Sequence, residues 1–289
     1  MRKSNTLRKF WYNLPTKQKY IVRKLYYFPI DLWDKLTGKT NKYVPSRGSI
    51  YTGSPSGAEK FLKQGEQQLQ LLTTYINLKP TDSVLDIGSG IGRTAIALSK
   101  YLNKKGSYDG FDVVEKGVNW CNSKINKDFP NFNFKYIPLF NDLYNNNVGK
   151  AEEFQFPYEV NSFDKIFTFS VFTHMQIKEI SNYFAEIHKT LKPNGKCLST
   201  FFLYNNENED YISNRELFNF PVKFEGYRLM NETVTSGNIA IHKTMLETML
   251  DQHNLKIDSI IDGFWKDKLK DTTKVEYQDI VIFSKKDNG

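Results

Sequence analysis

The sequence has few cysteines and lacks a long apolar run. Cys121 and Cys197 are the two cysteines among 289 residues, and they show neither a CxxC spacing nor a neighbouring histidine cluster. This excludes a disulfide framework and gives no sign of a metal site. The longest nearly apolar stretch near the start, residues 25–30, is too short to cross a bilayer or to serve as the apolar part of a secretion signal. The sequence therefore predicts a cytoplasmic protein without a metal site.

Acidic residues are scarce near the N-terminus. Residues 1–50 contain twelve of the 40 lysines and arginines, but only Asp31 and Asp34 of the 32 acids. This segment carries a formal charge of +10, whereas the rest of the chain is close to neutral at −2. Any electrostatic interaction with a partner therefore concerns the N-terminal extension, residues 1–50, and not the remaining domain.

Aromatic residues such as Trp11 and Trp33 alternate with the basic residues of this extension. Lysine and arginine beside tryptophan and tyrosine are the residues expected at a bilayer interface, so the extension is predicted to place the protein at the inner face of an anionic membrane. RNA is the less favoured partner, because the same charges would contact phosphates. A solvated arm that packs a few aromatics on the domain is the third interpretation. Pro15, Pro29 and Pro45 predict short helices joined by linker.

Residues 51–289 show short β-rich runs that alternate with longer helical ones. This alternation is typical of βαβ units and predicts one α/β domain with a mostly parallel sheet and helices on both faces. Strands are predicted at 83–87, 108–112, 132–137, 165–169, 195–202, 256–261 and 277–284, and helices at 58–77, 92–102, 116–127, 177–191 and 242–253. The polar stretch 204–237 interrupts the alternation and is predicted to be an inserted lid.

A glycine-rich turn, residues 86–93 (DIGSGIGR), follows the first predicted strand. Glycine lets a backbone bend sharply and approach a ligand without a Cβ in the way. The GxGxG spacing differs from the dinucleotide pattern GxGxxG, and Asp86 suits a ligand that carries a positive ammonium group. Asp112 ends the second predicted strand, where a carboxylate can accept hydrogen bonds from ribose hydroxyls. A tight turn without a ligand is the alternative, and the two acids in register argue against it.

The chain resembles class I S-adenosylmethionine-dependent methyltransferases. The resemblance rests on VLDIGSGIGR at 84–93, on SVFTHM at 170–175 and on shorter matches at 156–158 and 191–193. It implies a Rossmann-like sheet of seven strands with an antiparallel last strand, and S-adenosylmethionine as the cofactor. The residues that it implies for cofactor binding are Asp86, Gly88, Ser89, Gly90, Gly92 and Arg93 at the methionine end, Asp112 and Val113 at the ribose, and Ser170 and Phe172 beside the sulfonium.

One position departs from the family pattern. After the third strand such enzymes usually carry an aspartate that contacts the adenine, and the matching residue here is Pro138. Either Asn141 or backbone groups are therefore predicted to contact the adenine.

His174 is the candidate catalytic residue, because it follows the fourth predicted strand at the ligand edge of the sheet. An unperturbed imidazole has a pKa of about 6.5, so near neutral pH it is mostly uncharged and can take a proton from a hydroxyl. Capping of the next helix is the alternative role for His174. The predicted reaction is methyl transfer to oxygen of a small-molecule, glycan or lipid-linked acceptor. A cofactor-binding module without catalysis and an NAD-linked oxidoreductase are the alternative functions.

Overall fold

The computed structural model describes residues 16–53, 56–141, 145, 147–232, 236–268 and 273–286. Residues 1–15, which hold part of the predicted basic extension, and residues 233–235 of the predicted lid lie outside the described residues.

The described elements alternate as the sequence predicts through most of the chain. The helices are α1 (Thr16–Leu36), α2 (Ala58–Ile76), α3 (Arg93–Tyr101), α4 (Glu115–Cys121), α5 (Ile177–Thr190), α6 (Glu209–Asn214) and α7 (Lys243–Gln252). The strands are β1 (Ser83–Ile87), β2 (Ser107–Asp112), β3 (Phe132–Tyr136), β4 (Phe163–Thr168), β5 (Leu191–Phe201), β6 (Leu203–Tyr204), β7 (Val222–Phe224), β8 (Tyr227–Leu229), β9 (Ile239–His242), β10 (Leu255–Ile261) and β11 (Asp279–Lys285).

Seven strands form the central sheet in the order β10-β11-β5-β4-β1-β2-β3. Strands β1 to β5 pair in parallel. Strand β11 is inserted between β5 and β10 and is antiparallel to both. This confirms the predicted mostly parallel, Rossmann-like sheet. Because β1, β2 and β4 are parallel neighbours, their carboxyl ends meet at one edge, and the glycine turn follows β1 at that edge.

Both faces of the central sheet are covered. Leu85 and Phe111 belong to the core on one face, whereas Val84 and Tyr108 belong to the core on the other. Successive side chains of a strand point to opposite faces, so a strand that is buried on both sides must be apolar at nearly every position. The β1 residues Val84, Leu85 and Ile87 are all fully buried.

The N-terminal extension differs from its prediction. A single 21-residue helix, α1, continues through Pro29 in place of short helices joined by linker. A proline inside a helix removes one hydrogen bond and leaves a carbonyl unpaired, at a cost of about 3 kcal/mol. Pro29 lies on the exposed side of α1, where water can reach that carbonyl, so the helix continues. The prediction of a break at Pro29 was wrong.

Strands β7 and β8 of the predicted lid stretch belong to a second, smaller sheet, which β6 and β9 at the borders of the stretch complete. Its order is β6-β9-β8-β7, with β6 parallel to β9 and the other pairs antiparallel. It has a core of its own, formed by Phe202, Tyr204, Ile212, Phe220, Ala240 and Trp265. Its strands are two to four residues long, too short for an alternating pattern to appear in the sequence.

Candidate active site

A cavity of about 240 Å³ opens at the carboxyl ends of β1, β2 and β4. It lies at the position where open α/β sheets bind their ligands. The predicted site residues that line it are Gly88, Arg93, Asp112, Val113, Asn141, Ser170 and His174. Five other predicted site residues do not line it: Asp86, Ser89, Gly90, Gly92 and Phe172.

The glycine turn forms the floor of the cavity. Gly88, Gly90 and Gly92 have φ values of 80°, 58° and 77°, in the left-handed region that favours glycine. The N–H groups of Gly88 and Ser89 donate to the carbonyl of Phe111 at 2.9 and 3.0 Å, which ties the turn to the end of β2. Gly88 faces the cavity, while Ser89, Gly90 and Gly92 shape the turn from behind it.

Asp112 joins the glycine turn to the cavity. One carboxylate oxygen accepts from the Gly90 N–H at 2.8 Å, and the other accepts from the Val114 N–H at 2.8 Å. Burial raises the pKa of Asp112 to about 6, although these backbone N–H groups favour the charged form. Each carboxylate oxygen can accept a further bond. A ribose diol beside Asp112 would supply two such donors, as the sequence predicts.

Asp86 lies behind the turn and does not reach the cavity. It is buried, and its carboxylate accepts a hydrogen bond from the Tyr108 hydroxyl at 2.7 Å. Burial raises its pKa to about 7, and the neighbouring Asp112 adds to the rise while the Tyr108 bond opposes it. Asp86 therefore supports β1 and β2 from within the core of this structure. Its direct contact with the methionine end stays a prediction.

The buried acids Asp86 and Asp112 should make the stability of the cofactor-free protein depend on pH. We expect their contribution to the free energy of unfolding to fall as the pH rises from about 4 to about 7. Asp86 and Asp112 have folded-state pKa values above the ordinary value, so the native state binds more protons than the unfolded chain in that window. Asp86→Asn keeps an acceptor for Tyr108 but has no charge to bury. It should raise the free energy of unfolding by up to about a few kcal/mol near pH 8, and by much less near about pH 5. Urea unfolding at both pH values measures the difference.

Asp164→Asn is the matched control for this prediction. Burial acts to raise the pKa of Asp164, but the Lys192 ammonium and the Ser83 N–H outweigh it and hold that pKa below its usual value. Its contribution should have the opposite pH dependence, present at neutral pH and lost in acid. If Asp86→Asn changed stability equally at both pH values, the pKa of Asp86 would not be raised in the native state, which would contradict the prediction.

Arg93 lines the cavity at the place predicted for the methionine end of the cofactor. Its guanidinium donates to the carbonyl of Thr52 at 3.0 Å and lies 4.9 Å from the ring centre of Phe61, and burial lowers its pKa. Among the described residues Arg93 forms no ion pair with an acid. A half-buried guanidinium without a carboxylate partner in the protein suits the carboxylate of an amino-acid ligand.

Residues 51–53 cover the glycine turn, and sequence reasoning missed them. The Tyr51 hydroxyl donates to the Gly90 carbonyl at 3.1 Å, and all three residues line the cavity. A Cβ on Gly90 would lie 3.2 Å from the Thr52 methyl group, which shows how closely the segment covers the turn. The segment is a loop, so no periodicity marks it in the sequence.

Gly90→Val is expected to abolish cofactor binding. Valine at a φ of 58° is strained by about 1–3 kcal/mol, and its branched side chain would press against Thr52. The strain would displace the N–H that Asp112 binds. Calorimetry with S-adenosylmethionine measures the loss. Gly38→Val is the control, because Gly38 has a similar φ of 69° with no atom near its missing Cβ; equal affinity in both variants would contradict the prediction.

The end of β4 forms the wall beside the reacting centre. Phe169, Ser170 and Val171 line the cavity. Ser170 has a φ of 58°. Its N–H donates to the Thr200 hydroxyl at 2.8 Å, and its own hydroxyl donates to the Gln278 side chain at 2.9 Å. Such strain in a residue other than glycine persists only where the surrounding contacts fix it, and it is common at functional sites.

Phe172 requires a correction. Its side chain is fully buried in the core and stacks on Phe201 with ring centres 5.2 Å apart. It therefore does not face the cavity. The backbone after Ser170 enters a short helical turn, Phe172–His174, which directs Phe172 inward and His174 toward the cavity.

Leu139, Phe140 and Asn141 line the part of the cavity that is predicted to hold the adenine. Pro138, which replaces the usual aspartate, is not part of the lining. The Asn145 amide donates to the Val113 carbonyl at 3.2 Å and accepts from the Asn141 N–H at 3.2 Å, so this loop is tied to the end of β2. Adenine contact through Asn141 stays a prediction, and Leu139 and Phe140 supply apolar surface that the sequence did not indicate.

His174 lies at the cavity and its ring has a fixed orientation. Nδ1 lies 2.8 Å from the carbonyl oxygen of Ser236. A carbonyl only accepts, so Nδ1 must carry the proton and the lone pair of the neutral ring is on Nε2. Glu179 and Tyr183, at the start of α5, line the cavity beside it. The ring is therefore arranged as a proton acceptor, and capping of α5 is left to Gln176 and Glu179.

The lining therefore fits S-adenosylmethionine in its chemistry. It offers a carboxylate for a ribose, a guanidinium for an amino-acid carboxylate and an apolar end for an adenine. Among the described residues no group of three or more histidine, cysteine or acidic side chains is arranged to hold a metal ion.

Comparisons with known proteins agree with this geometry. Residues 84–195 match the family model described as a methyltransferase domain. The chain is 32% identical over 131 residues to the ubiquinone/menaquinone biosynthesis C-methyltransferase UbiE of Wigglesworthia glossinidia brevipalpis. That match covers 44% of this chain and 46% of the relative, so the chain spans less than half the length of the curated relative.

Solved structures share the fold. The PH0226 protein of Pyrococcus horikoshii OT3 superposes with a TM-score of 0.52 at 16% identity, covering 79% of this chain and 92% of that protein. Geranyl diphosphate C-methyltransferase of Streptomyces coelicolor A3(2) superposes with a TM-score of 0.52 at 10% identity, covering 78% of this chain and 80% of that enzyme.

Residues 84–195 match a methyltransferase domain, and the strand order and the glycine turn resemble those of class I S-adenosylmethionine-dependent methyltransferases. S-adenosylmethionine is the cofactor of this class, which favours it over the nicotinamide dinucleotide of the alternative interpretation.

Proposed function

We propose that this protein transfers a methyl group from S-adenosylmethionine to a hydroxyl oxygen of a small-molecule, glycan or lipid-linked acceptor. The observation that carries the proposal is the His174 ring, whose Nδ1 is held by the Ser236 carbonyl at the edge of the cofactor cavity. An imidazole fixed in this tautomer presents Nε2 as a base. A base is needed when the acceptor is a hydroxyl, because the oxygen must lose its proton as it attacks.

When bound, S-adenosylmethionine supplies a methyl group on a sulfonium, which is displaced in line by the acceptor. Asp112 would bind the ribose hydroxyls and Arg93 the carboxylate of the methionine end, which fixes the position of the sulfur. His174 Nε2 would take the proton of the acceptor hydroxyl. Phe169 and Val171 line the wall and limit the access of water. The alignment of these groups supplies much of the acceleration, because the reacting atoms must lie on one line.

Methyl transfer to a ring carbon is the second candidate reaction. The relative UbiE is a C-methyltransferase of ubiquinone/menaquinone biosynthesis, and this chain is 32% identical to it over 131 residues. A ring hydroxyl that loses its proton to His174 would raise the electron density on the neighbouring ring carbons. After one of these carbons takes the methyl group from sulfur, it would lose its hydrogen as a proton, and the ring would become aromatic again. The same base therefore serves both reactions, and the acceptor decides which atom attacks.

Labelled methyl groups distinguish the possibilities. The full chain is incubated with S-adenosylmethionine labelled with carbon-13 in the methyl group and with small-molecule, glycan and lipid extracts, and the products are analysed by NMR. An oxygen-bound methyl signal that requires His174 supports the proposal. A carbon-bound methyl signal establishes the second candidate in its place. Cofactor binding without labelled product in any extract would indicate a binding module and contradict both.

A further inference from the structure

Helix α1 turns its polar face toward the domain. Arg23, Tyr27, Asp31 and Asp34 are spaced by four, four and three residues, which places them on one side of a helix, and they are its half-buried residues. Asp31 accepts from the Arg47 N–H at 3.0 Å, and Asp34 pairs with the Arg47 guanidinium. Arg23 donates to the carbonyl of Ile50. The helix is therefore attached by ion pairs and hydrogen bonds.

The outward face of α1 is apolar. The exposed large apolar side chains of this helix are Ile21, Val22, Leu25, Tyr26, Phe28, Ile30, Leu32, Trp33 and Leu36, and each is at least 43% exposed. A surface helix of a water-soluble domain normally has the reverse arrangement, with the apolar face buried. A contiguous exposed apolar surface of this kind indicates an interaction site. No helix among the described residues is long and apolar enough to span a bilayer.

Lysines flank this apolar face. Lys24 and Lys35 are exposed on α1. Lys116 of α4 lies close to Lys24 and Arg23, and burial together with these two positive charges lowers the pKa of Lys116. Positive charges gathered on this side of α1 attract anions.

A groove of about 840 Å³ lies where α1 meets the domain, and its lining includes Lys24, Lys35 and Lys124. Asp31 and Asp34 also line it, and both lie beside the Arg47 guanidinium. Two buried polar atoms in the same lining, the Ser56 hydroxyl and the Trp120 indole N–H, have no hydrogen-bond partner among the described residues. Ser56 is 6% exposed. A buried donor without a partner is costly, so these atoms indicate an absent acceptor. Lysines beside uncharged donors are the groups that bind phosphate oxygens.

We propose that α1 docks the protein on an anionic membrane surface, with its apolar face in the lipid interface and the groove holding a phosphate headgroup. Apolar and aromatic residues with flanking lysines are the composition of helices that lie in the interface plane. A second copy fits poorly as the occupant, because each extension carries +10 and the two would repel. RNA would satisfy the lysines but leave the apolar face in water.

Docking at this place would bring lipid close to the cofactor cavity. Arg23 of α1 binds the carbonyl of Ile50, and the next three residues, 51–53, line the cavity. One short segment, residues 50–53, therefore connects the helix that would lie on the membrane to the cavity. This inference does not depend on the acceptor atom or on catalysis, because it concerns a surface outside the cavity.

Co-sedimentation with vesicles tests the proposal. The full chain is mixed with vesicles of phosphatidylcholine alone and of phosphatidylcholine with phosphatidylglycerol. We expect binding to the anionic vesicles, and the double variant Leu25→Glu/Trp33→Glu should weaken it about tenfold or more. Val160→Glu and Leu217→Glu are matched controls, because these residues are 59% and 75% exposed on other parts of the surface, and they should bind like the wild type.

The groove has a test of its own. Ser56→Ala/Trp120→Phe should weaken binding to the anionic vesicles and leave the apolar face intact. Inorganic phosphate, at a concentration comparable to that of the anionic lipid, should not displace the protein from the vesicles. Thermal melting and binding of S-adenosylmethionine confirm that each variant is folded. Equal sedimentation of wild type and Leu25→Glu/Trp33→Glu would overturn the proposal. So would dimerisation that this double variant abolishes, or binding to RNA in preference to anionic vesicles.

Discussion

His174→Ala is expected to lower turnover about a hundredfold to ten-thousandfold while the affinity for S-adenosylmethionine stays the same. The variant removes the ring nitrogen that would take the proton of the acceptor, whereas the groups that would hold the cofactor, Asp112 and Arg93, are unchanged. Single-turnover assays with labelled methyl groups measure the rate, and calorimetry measures the affinity. The wild-type rate should also rise with pH until the ring is neutral, and the variant should lose this dependence.

His188→Ala is the matched control for the catalytic histidine. His188 lies near the C-terminal end of α5, outside the lining of the cavity. Its removal should leave both the rate and its pH dependence as in the wild type. His174→Gln offers a further control of shape, because the amide can still bond to Ser236 but is not a base at neutral pH. Full turnover in His174→Ala would return His174 to a packing role, and loss of cofactor binding would mark it as part of the binding pocket.

Asp112→Ala is expected to weaken the binding of S-adenosylmethionine by about a hundredfold or more. Hydrogen bonds to a charged group contribute about 1.5–3 kcal/mol each, and two such bonds to the ribose would be lost. The Gly90 and Val114 N–H groups would also lose their acceptor, so the glycine turn would be less well held. Calorimetry with S-adenosylmethionine and with S-adenosylhomocysteine should show similar losses, because both carry the same ribose.

Asp109→Ala controls for the removal of a carboxylate from the same strand. Asp109 is half-buried in β2, three residues before Asp112, and does not line the cavity. Its loss should leave cofactor affinity within about threefold of the wild type, since it touches neither the turn nor the ligand. Asp112→Asn should give an intermediate loss, because the amide oxygen can still accept one bond. If Asp112→Ala bound the cofactor as the wild type does, the ribose would be held by other groups.

The sequence was sufficient to predict the elements of the central sheet along the chain, because short β-rich runs alternate with longer helical ones and turn residues separate them. The glycine turn was predictable from its GxGxG spacing, because glycine is the residue that adopts a positive φ most readily. Gly88, Gly90 and Gly92 all have positive φ in the structure. The functions of single side chains were less accessible. Phe172 was expected to flank the cofactor but turns into the core, because the pattern of a strand does not give the direction of a side chain after the strand has ended. Asp86 lies within β1 and is buried, and its contact with the cofactor stays a prediction.

The elements that the sequence missed are held by distant contacts. Strands β6 to β9 are too short to show a pattern. The start of β6 is held by Asp279, which accepts from the Leu203 N–H at 2.7 Å and from the Trp265 indole at 2.6 Å. Helix α1 continues past Pro29, where the local pattern predicted a break, and is held by Arg47, eleven residues after the helix ends. Such contacts join residues far apart in the sequence, and no local window contains both partners.

The position of β11 has a consequence for synthesis on the ribosome. Strand β5 is complete at Phe201, but its neighbour in the sheet begins at Asp279. During translation the edge of β5 therefore stays unpaired until some eighty further residues have been synthesised. At ordinary elongation rates this synthesis takes about four to sixteen seconds. An unpaired strand edge is a template for pairing with other chains. We expect nascent chains that are arrested before residue 279 to need chaperone protection, and this requirement should end once β11 emerges and fills the gap.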